Sequence, residues 1–385
     1  MKTLLKTLCA AAALLLFAAG CDTSSPESRQ AAAEHAEPIT IRPLDPDVFN
    51  RKAVSYSGFR TGQSPETGVH PSRAEILEDL RILEDAGFGL LRVFSSGEHG
   101  RAVVELIDEH GIDIKVQVGA YVSGADAENH TENMFELDEA IALANAYPDV
   151  VASVSVGNEV LVSWSFVAVP PEDMVTYIRH VRSQIRQPVT VNDNWEPFAA
   201  EAGSAIAAVW GEIDYASVHT YAYWDAGFEL WDFRQEAVPE SRRARAMMDA
   251  ARDYARENFE AVRRALNDAG HAIPIVIGET GWQSVPSAYL DEAFVKDFAD
   301  HQAHPVNQAW YYEDMSAWTY GEGRDAPGDG FSRPAALFYF AAFDEPWKER
   351  DDNWGLWDVE REPKYVLSGQ GYSAEDAVFY RPSAP

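Results

Sequence analysis

Only two cysteines occur in the 385 residues, Cys9 and Cys21, both close to the N-terminus. The rest of the chain therefore has no disulfide and no thiolate metal site. Positive charge is also scarce: 31 Lys and Arg stand against 62 Asp and Glu, a formal net charge of -31. Phosphate backbones need a basic surface, so this balance excludes nucleic acid as a partner and points instead to solubility. No G-x-G-x-x-G turn, P-loop or H-E-x-x-H pair is present, and no repeat of solenoid period. The segment "DAPGDG" lacks the ligand spacing of a calcium loop. No metal and no cofactor is implied. Long apolar runs are missing too, except at the start of the chain.

That start reads as an address. Lys2 and Lys6 precede an apolar run from Leu8 to Phe17, and the small residues Ala18, Ala19 and Gly20 precede Cys21. The run is too short for a permanent membrane span. It resembles a bacterial lipoprotein signal, with Ala18 standing where leucine is more usual; an ordinary secretory signal is the alternative. Residues 1–20 are then a signal and residues 21–50 a flexible tether, from the Ser-, Ala- and Glu-rich composition of "DTSSPESRQAAAEHAEP". Cys21 would carry lipid and anchor the protein to a membrane of the cell envelope, on the periplasmic or the cell-surface side.

The chain as a whole is globular in composition, with 46% hydrophobic and 12% aromatic residues. Short β-rich runs alternate with helical patterns. The runs are Ala53–Phe59, Gly89–Ser95, Asp113–Ala120, Val151–Gly157, Pro188–Asn192, Tyr215–Tyr221, Pro274–Gly278 and Ala336–Phe343. In "SRAEILEDLRILEDAG", Ile76, Leu80 and Leu83 recur at helical spacing between a Ser72 cap and a Gly87 stop. Eight such strands and about seven full intervening helices over residues 51–385 predict α/β architecture as a single (β/α)8 TIM barrel; a doubly wound sheet would need the glycine-rich turn that is missing.

In a barrel the reactive face is made by the loops that follow the strands. Strand four, "VVASVSVGNEVLV", ends on Asn158 and Glu159; strand seven, "IPIVIGETGW", ends on Glu279. Those strands face each other across the barrel. Two carboxyls there can flank one bond, as glycoside hydrolysis requires: one protonates the leaving oxygen and the other attacks the anomeric carbon. Each glutamate alone can equally be a solvated rim charge. His219 alternates with Val218 and Thr220 and reads as a hydrogen-bonded barrel histidine, not as a metal ligand.

Six stretches in order resemble glycoside hydrolase family 17, the β-1,3-glucanase family: "YSGFRTGQSP", "LLRVFSS", "VSVGNEVL", "HTYAYWD", "IGETGW" and "FDEPWK…NWGLWD…PK", from about Tyr56 to Lys364. The departure is Gln283, where the family usually has proline. The resemblance implies a retaining enzyme with Glu159 as acid/base and Glu279 as nucleophile, acting on β-1,3-glucan without a cofactor. The chemistry then asks Glu159 to hold a proton near neutral pH and Glu279 to stay ionised, with Arg92 as its candidate cation.

Further candidates surround the pair. Asn158 can bond the sugar 2-hydroxyl, and the Tyr221 hydroxyl can orient Glu279. Tyr56, Trp282 and Trp347 offer aromatic faces, and Glu345 and Lys348 can bind hydroxyls; core or loop packing is the alternative for each aromatic residue. The protein is expected to work as a monomer on a glucan polysaccharide or oligosaccharide. Two other activities fit the same residues: a glucan transglycosylase, in which a sugar acceptor replaces water, and a glycan-binding lipoprotein without turnover. The second has no need of two facing glutamates.

Overall fold

The computed structural model describes residues 39–124, 127–225, 238–286, 302–321, 329–348 and 352–379. The expected signal, Cys21 and most of the expected tether lie outside the described residues. Eight parallel strands close a barrel in chain order. They are β1 (Lys52–Ser55), β2 (Phe88–Val93), β3 (Lys115–Ala120), β4 (Val151–Asn158), β5 (Val189–Asn194), β6 (Ala216–His219), β7 (Ile275–Thr280) and β8 (Leu337–Tyr339). The expected TIM barrel is what the chain forms.

Crossover helices wrap the outside: α1 (Arg73–Asp85), α2 (Glu98–His110), α3 (Ala127–Ala146), α4 (Pro171–Arg182), α5 (Glu240–Asp268) and α6 (Pro305–Tyr320). The start of α1 has its sequence-predicted cap: Ser72 accepts from Glu75 N–H, and the Glu75 carboxylate accepts from Ser72 N–H. Between β5 and β6 the crossover shrinks to single turns at Trp195–Phe198 and Ala207–Trp210. Among the described residues no helix is long and apolar enough to cross a membrane.

The period-two alternation of the strands sorts their side chains into two cores. Val54, Leu91, Val93, Val116, Val118, Val154 and Val156 pack outward against the helices. Ala53, Leu90, Tyr215, Val276 and Phe338 fill the base of the lumen. Nearer the reactive face the lumen turns polar. Gln117 donates to the Tyr215 hydroxyl (2.6 Å), Tyr215 to Ser153 (2.9 Å), and Asn192 to Gln117 (3.0 Å) and Ser155 (2.7 Å), all fully or almost fully buried.

The ordered domain begins earlier than residue 51. Arg42 donates from its backbone to Asp214 (2.6 Å) and from its guanidinium to the carbonyls of Gln187 (2.8 Å) and Arg182 (2.7 Å). Phe49 is buried edge-on against Tyr215 at 5.7 Å. Residues 39–50 thus close the base of the barrel, where a flexible tether was expected to run to residue 50. The reason is compositional: polar low complexity ends at Pro38, and Leu44, Val48 and Phe49 supply an apolar face.

Candidate active site

Both glutamate-bearing strands lose regular register just where their carboxyls emerge. Along β4 and β5, Ser155 pairs with Thr190 but Asn158 pairs with Asn192, so β4 carries one extra residue. Along β6 and β7, Val218 pairs with Ile277 but His219 pairs with Glu279, so β7 does the same. Bulges of this kind re-aim side chains at barrel rims. Strict alternation after Ile277 would send Glu279 outward; the slip turns it into the mouth of the barrel. Gly278 permits it, because a Cβ there would lie 2.5 Å from Ser217 Oγ and 2.8 Å from Asn192 Oδ1. On β4, Gly157 has φ 83° and Glu159 has φ 51°, a left-handed conformation that costs a non-glycine residue free energy and concentrates at functional sites.

The geometry that results is compact. Carboxylate oxygens of Glu159 and Glu279 and a ring nitrogen of His219 all lie within 4.8 Å of one another. Glu279 is buried and ion-paired with Arg92, whose other terminal nitrogen donates to Asn158 Oδ1. Tyr221 donates its hydroxyl to the second Glu279 oxygen at 2.7 Å. Burial alone would raise the carboxyl pKa of Glu279; the fields of His219 and Arg92 and the two hydrogen bonds outweigh it and bring the group down to about 2. Glu279 is therefore an anion at any working pH. Glu159 is more open, with 26% of its side chain exposed, and bonds His219 Nδ1 at 3.0 Å.

His219 bridges the pair: its Nε2 lies 3.7 Å from Glu279 Oε1 and makes no hydrogen bond among the described residues. The three groups have the donor types of a metal site, yet a divalent ion among them would stand beside the Arg92 guanidinium, and that repulsion argues against one.

Asp193, at the end of β5, was not anticipated. It is fully buried, accepts from Leu161 N–H (2.7 Å) and Asn194 N–H (2.8 Å), and so ties the loop after Glu159 to the barrel. Burial, aided by the charge of Glu159 and opposed by His219 and the Leu161 N–H, pushes its pKa up to about 7. A carboxyl with a raised folded pKa stabilises the fold where it keeps its proton. The contribution is complete at low pH, shrinks as pH rises above the unfolded value near 3.8, and is gone above about 7. Asp193→Asn should remove this dependence. The variant's Tm relative to wild type should rise as pH goes from 4 to 7, and parallel Tm curves would contradict the assignment.

The remaining sequence candidates divide. Asn158, Arg92 and Tyr221 join the two glutamates. Glu345 is buried, accepts from the Ser57 hydroxyl, and pairs with Lys348 at 2.7 Å. Trp347 is half-buried beside them, edge-on to Phe59 at 6.1 Å. Tyr56 and Trp282 are corrections. Tyr56 shares the outward parity of Val54, is fully buried under Gly58, and donates to Asp79 at 3.1 Å. Trp282 is fully buried against Tyr223 and Tyr311, and its indole N–H donates to Gln302 O at 2.9 Å. Burying such a side chain contributes roughly 1.5–3 kcal/mol. Specific ring stacking adds only about 0.5–1.5 kcal/mol, so the core wins and neither ring faces a sugar.

Comparison with known proteins places this geometry in context. Residues 53–361 match the family described as the BtgE/BtgC glycoside hydrolase domain. The chain is 25% identical over 334 residues to a glucan 1,3-beta-glucosidase from Arthroderma benhamiae, covering 81% of this chain and 90% of that protein. It is similar in structure to an endo-laminarinase from Formosa Hel1_33_131, with a TM-score of 0.72 and 25% identity over 85% of this chain and 88% of the other. A GH2 beta-galacturonidase from Eisenbergiella tayi, 14% identical with a TM-score of 0.53 over 85% of this chain and 50% of its own, shares the barrel fold.

Proposed function

Because the chain belongs to the BtgE/BtgC glycoside hydrolase domain family, we propose that it cleaves β-1,3-glucan with retention of configuration, with Glu279 as nucleophile and Glu159 as acid/base. One observation carries the reading: oxygens of the two carboxyls, delivered by the ends of β4 and β7, approach within 4.8 Å at the mouth of the barrel. Retaining pairs stand about 5–5.5 Å apart, whereas inverting pairs leave about 6.5–9.5 Å for a water molecule. The glucan assignment is supported by the names of the two relatives and by the six stretches that resemble family 17.

The steps follow from the contacts. Glu279 attacks the anomeric carbon while Glu159 passes its proton to the glycosidic oxygen, which leaves with the bond electrons. Glu159, now a carboxylate, takes a proton from water, and that water displaces Glu279 from the same carbon. Tyr221 and Arg92 hold the attacking carboxylate; Asn158, turned by Arg92, faces the sugar that Glu279 attacks. Cys21 is proposed to be lipidated, on the strength of the basic and apolar residues before it.

The test is the anomer first released from a β-1,3-glucan oligosaccharide, read by proton NMR before mutarotation. The β anomer is expected, and the α anomer would reject retention. Glu159→Gln should lower kcat on glucan by about 10²–10⁴-fold. It should keep far more activity on aryl β-glucosides whose leaving groups need no proton. Equal loss on both substrates would remove Glu159 from the acid role.

A further inference from the structure

The loop from Val160 to Pro170 leaves the barrel directly after Glu159 and has an unusual build. Its backbone is fixed at both ends. Val169 N–H donates to Val160 O (3.0 Å), Leu161 N–H to Asp193 (2.7 Å), and Gly124 N–H, from the loop after β3, to Val167 O (3.2 Å). Val160, Val162 and Val169 are buried. The tip is turned by Ser165 N–H to Val162 O (3.1 Å) and by Val167 N–H to Ser165 Oγ (3.2 Å). On this fixed tip stand Trp164, 52% exposed, and Phe166, 101% exposed. Tyr121, 43% exposed, follows β3 at the neighbouring rim. Apolar rings on an anchored loop gain nothing from solvent; held there, they make a surface waiting for an apolar face.

The chemistry of Glu159 says which face. The acid stands on the leaving-group side of the bond it protonates. Trp164 and Phe166 follow it by five and seven residues on the same rim, whereas Glu345, Trp347 and Lys348 come from the loop after β8, which pairs with β1. We infer that the tip of the 160–170 loop is a platform for the glucosyl units on the reducing side of the cleaved linkage, and that it also receives the incoming sugar when an oligosaccharide replaces water. This inference rests on the proposed glucanase reading and extends it to where the leaving chain is held. A pyranose ring presents flat C–H surfaces with hydroxyls at its edge, which suits exposed indole and phenyl faces without any charged partner. The strongly acidic chain offers a neutral polysaccharide no electrostatic help, so such apolar contact has to supply the affinity.

The experiment compares two donors in wild type and in Trp164→Ala/Phe166→Ala. One is a β-1,3-linked glucose hexasaccharide; the other is a glucosyl or laminaribiosyl β-fluoride, whose leaving group is a single atom that reaches no platform. The ratio of kcat/KM for hexasaccharide over fluoride should fall about tenfold or more in the variant. The share of products longer than the starting hexasaccharide should fall with it. A ratio unchanged within twofold, whether because neither rate moves or because both drop together, overturns the platform while leaving the glucanase reading intact. A wild-type protein that turns over neither donor overturns both. Both rings are exposed, so their truncation leaves the core untouched and the variant can be compared at equal folded concentration.

Discussion

Glu279→Gln is expected to abolish turnover, with a loss in kcat on the order of 10⁴-fold or greater, while the barrel still folds and still binds glucan. The amide is isosteric; its one oxygen can still accept from Arg92, and its NH2 can donate to the Tyr221 hydroxyl oxygen, so the local packing survives. What disappears is the anion that forms the glycosyl bond. The observed environment makes this a test of chemistry and not of protonation. With its pKa held at about 2, the wild-type carboxyl is charged throughout the assay range, so no choice of pH can mimic the variant. Turnover near the wild-type rate would reject the nucleophile assignment outright, and glucan binding measured by calorimetry separates lost chemistry from lost affinity. The buried Arg92 sharpens the expectation further. Replacing its partner anion with a neutral amide leaves a guanidinium that is 1% exposed with weaker compensation. A modest loss of stability should therefore accompany the loss of rate.

Most of the fold was legible in the sequence because barrel strands buried on both faces are β-rich runs ended by glycine or polar residues. All eight expected runs overlap observed strands. The first run is longer than its strand, because the chain turns away after Ser55 to reach Gly58, whose φ is 71°. The two glutamates were legible for the same reason, since strand ends on the reactive face are easy to count. The side to which a rim aromatic points was not. Tyr56 continues the outward parity of Val54, and that alternation was a usable signal. Trp282 follows a bulge, where parity no longer helps. His219 shares the inward parity of Tyr215 and Ser217, so its position at the mouth could have been counted; its contact with both carboxyls depends on the extra residue in β7, which no local pattern announces. Asp193, near the polar end of "VTVNDN", shares the outward parity of Val189 and Val191, so the same count pointed it away from the mouth. The part of the loop after β6 at residues 226–237 lies outside the described residues.

Asp79→Ala is expected to destabilise the fold by about 3–5 kcal/mol, without touching either of the carboxyls proposed as catalytic. Asp79 projects from α1, is completely buried, and is the shared acceptor of three groups. Arg361 donates two hydrogen bonds to it (both 2.8 Å), Arg60 one (2.9 Å) and Tyr56 one (3.1 Å). Removing it strands the Arg361 guanidinium, which is 4% exposed, beside a second arginine with no buried anion between them. The loss reaches the site. Arg361 also donates to Gly58 O (2.9 Å) and belongs to the chain segment after β8 that carries Glu345, Trp347 and Lys348, so the cluster pins that segment to the β1 rim. For a domain of this size the Tm should fall on the order of 5 °C, with a rise in KM for long glucan and a smaller effect on the fluoride donor. A paired replacement separates charge from packing. Asp79→Leu combined with Arg361→Met leaves only the partly exposed Arg60 charge and should lose less stability than Asp79→Ala alone. If the double variant is the weaker of the two, the cluster acts through its hydrogen-bond geometry; if Asp79→Ala costs under about 1 kcal/mol, water has replaced the carboxylate and the pin is not electrostatic.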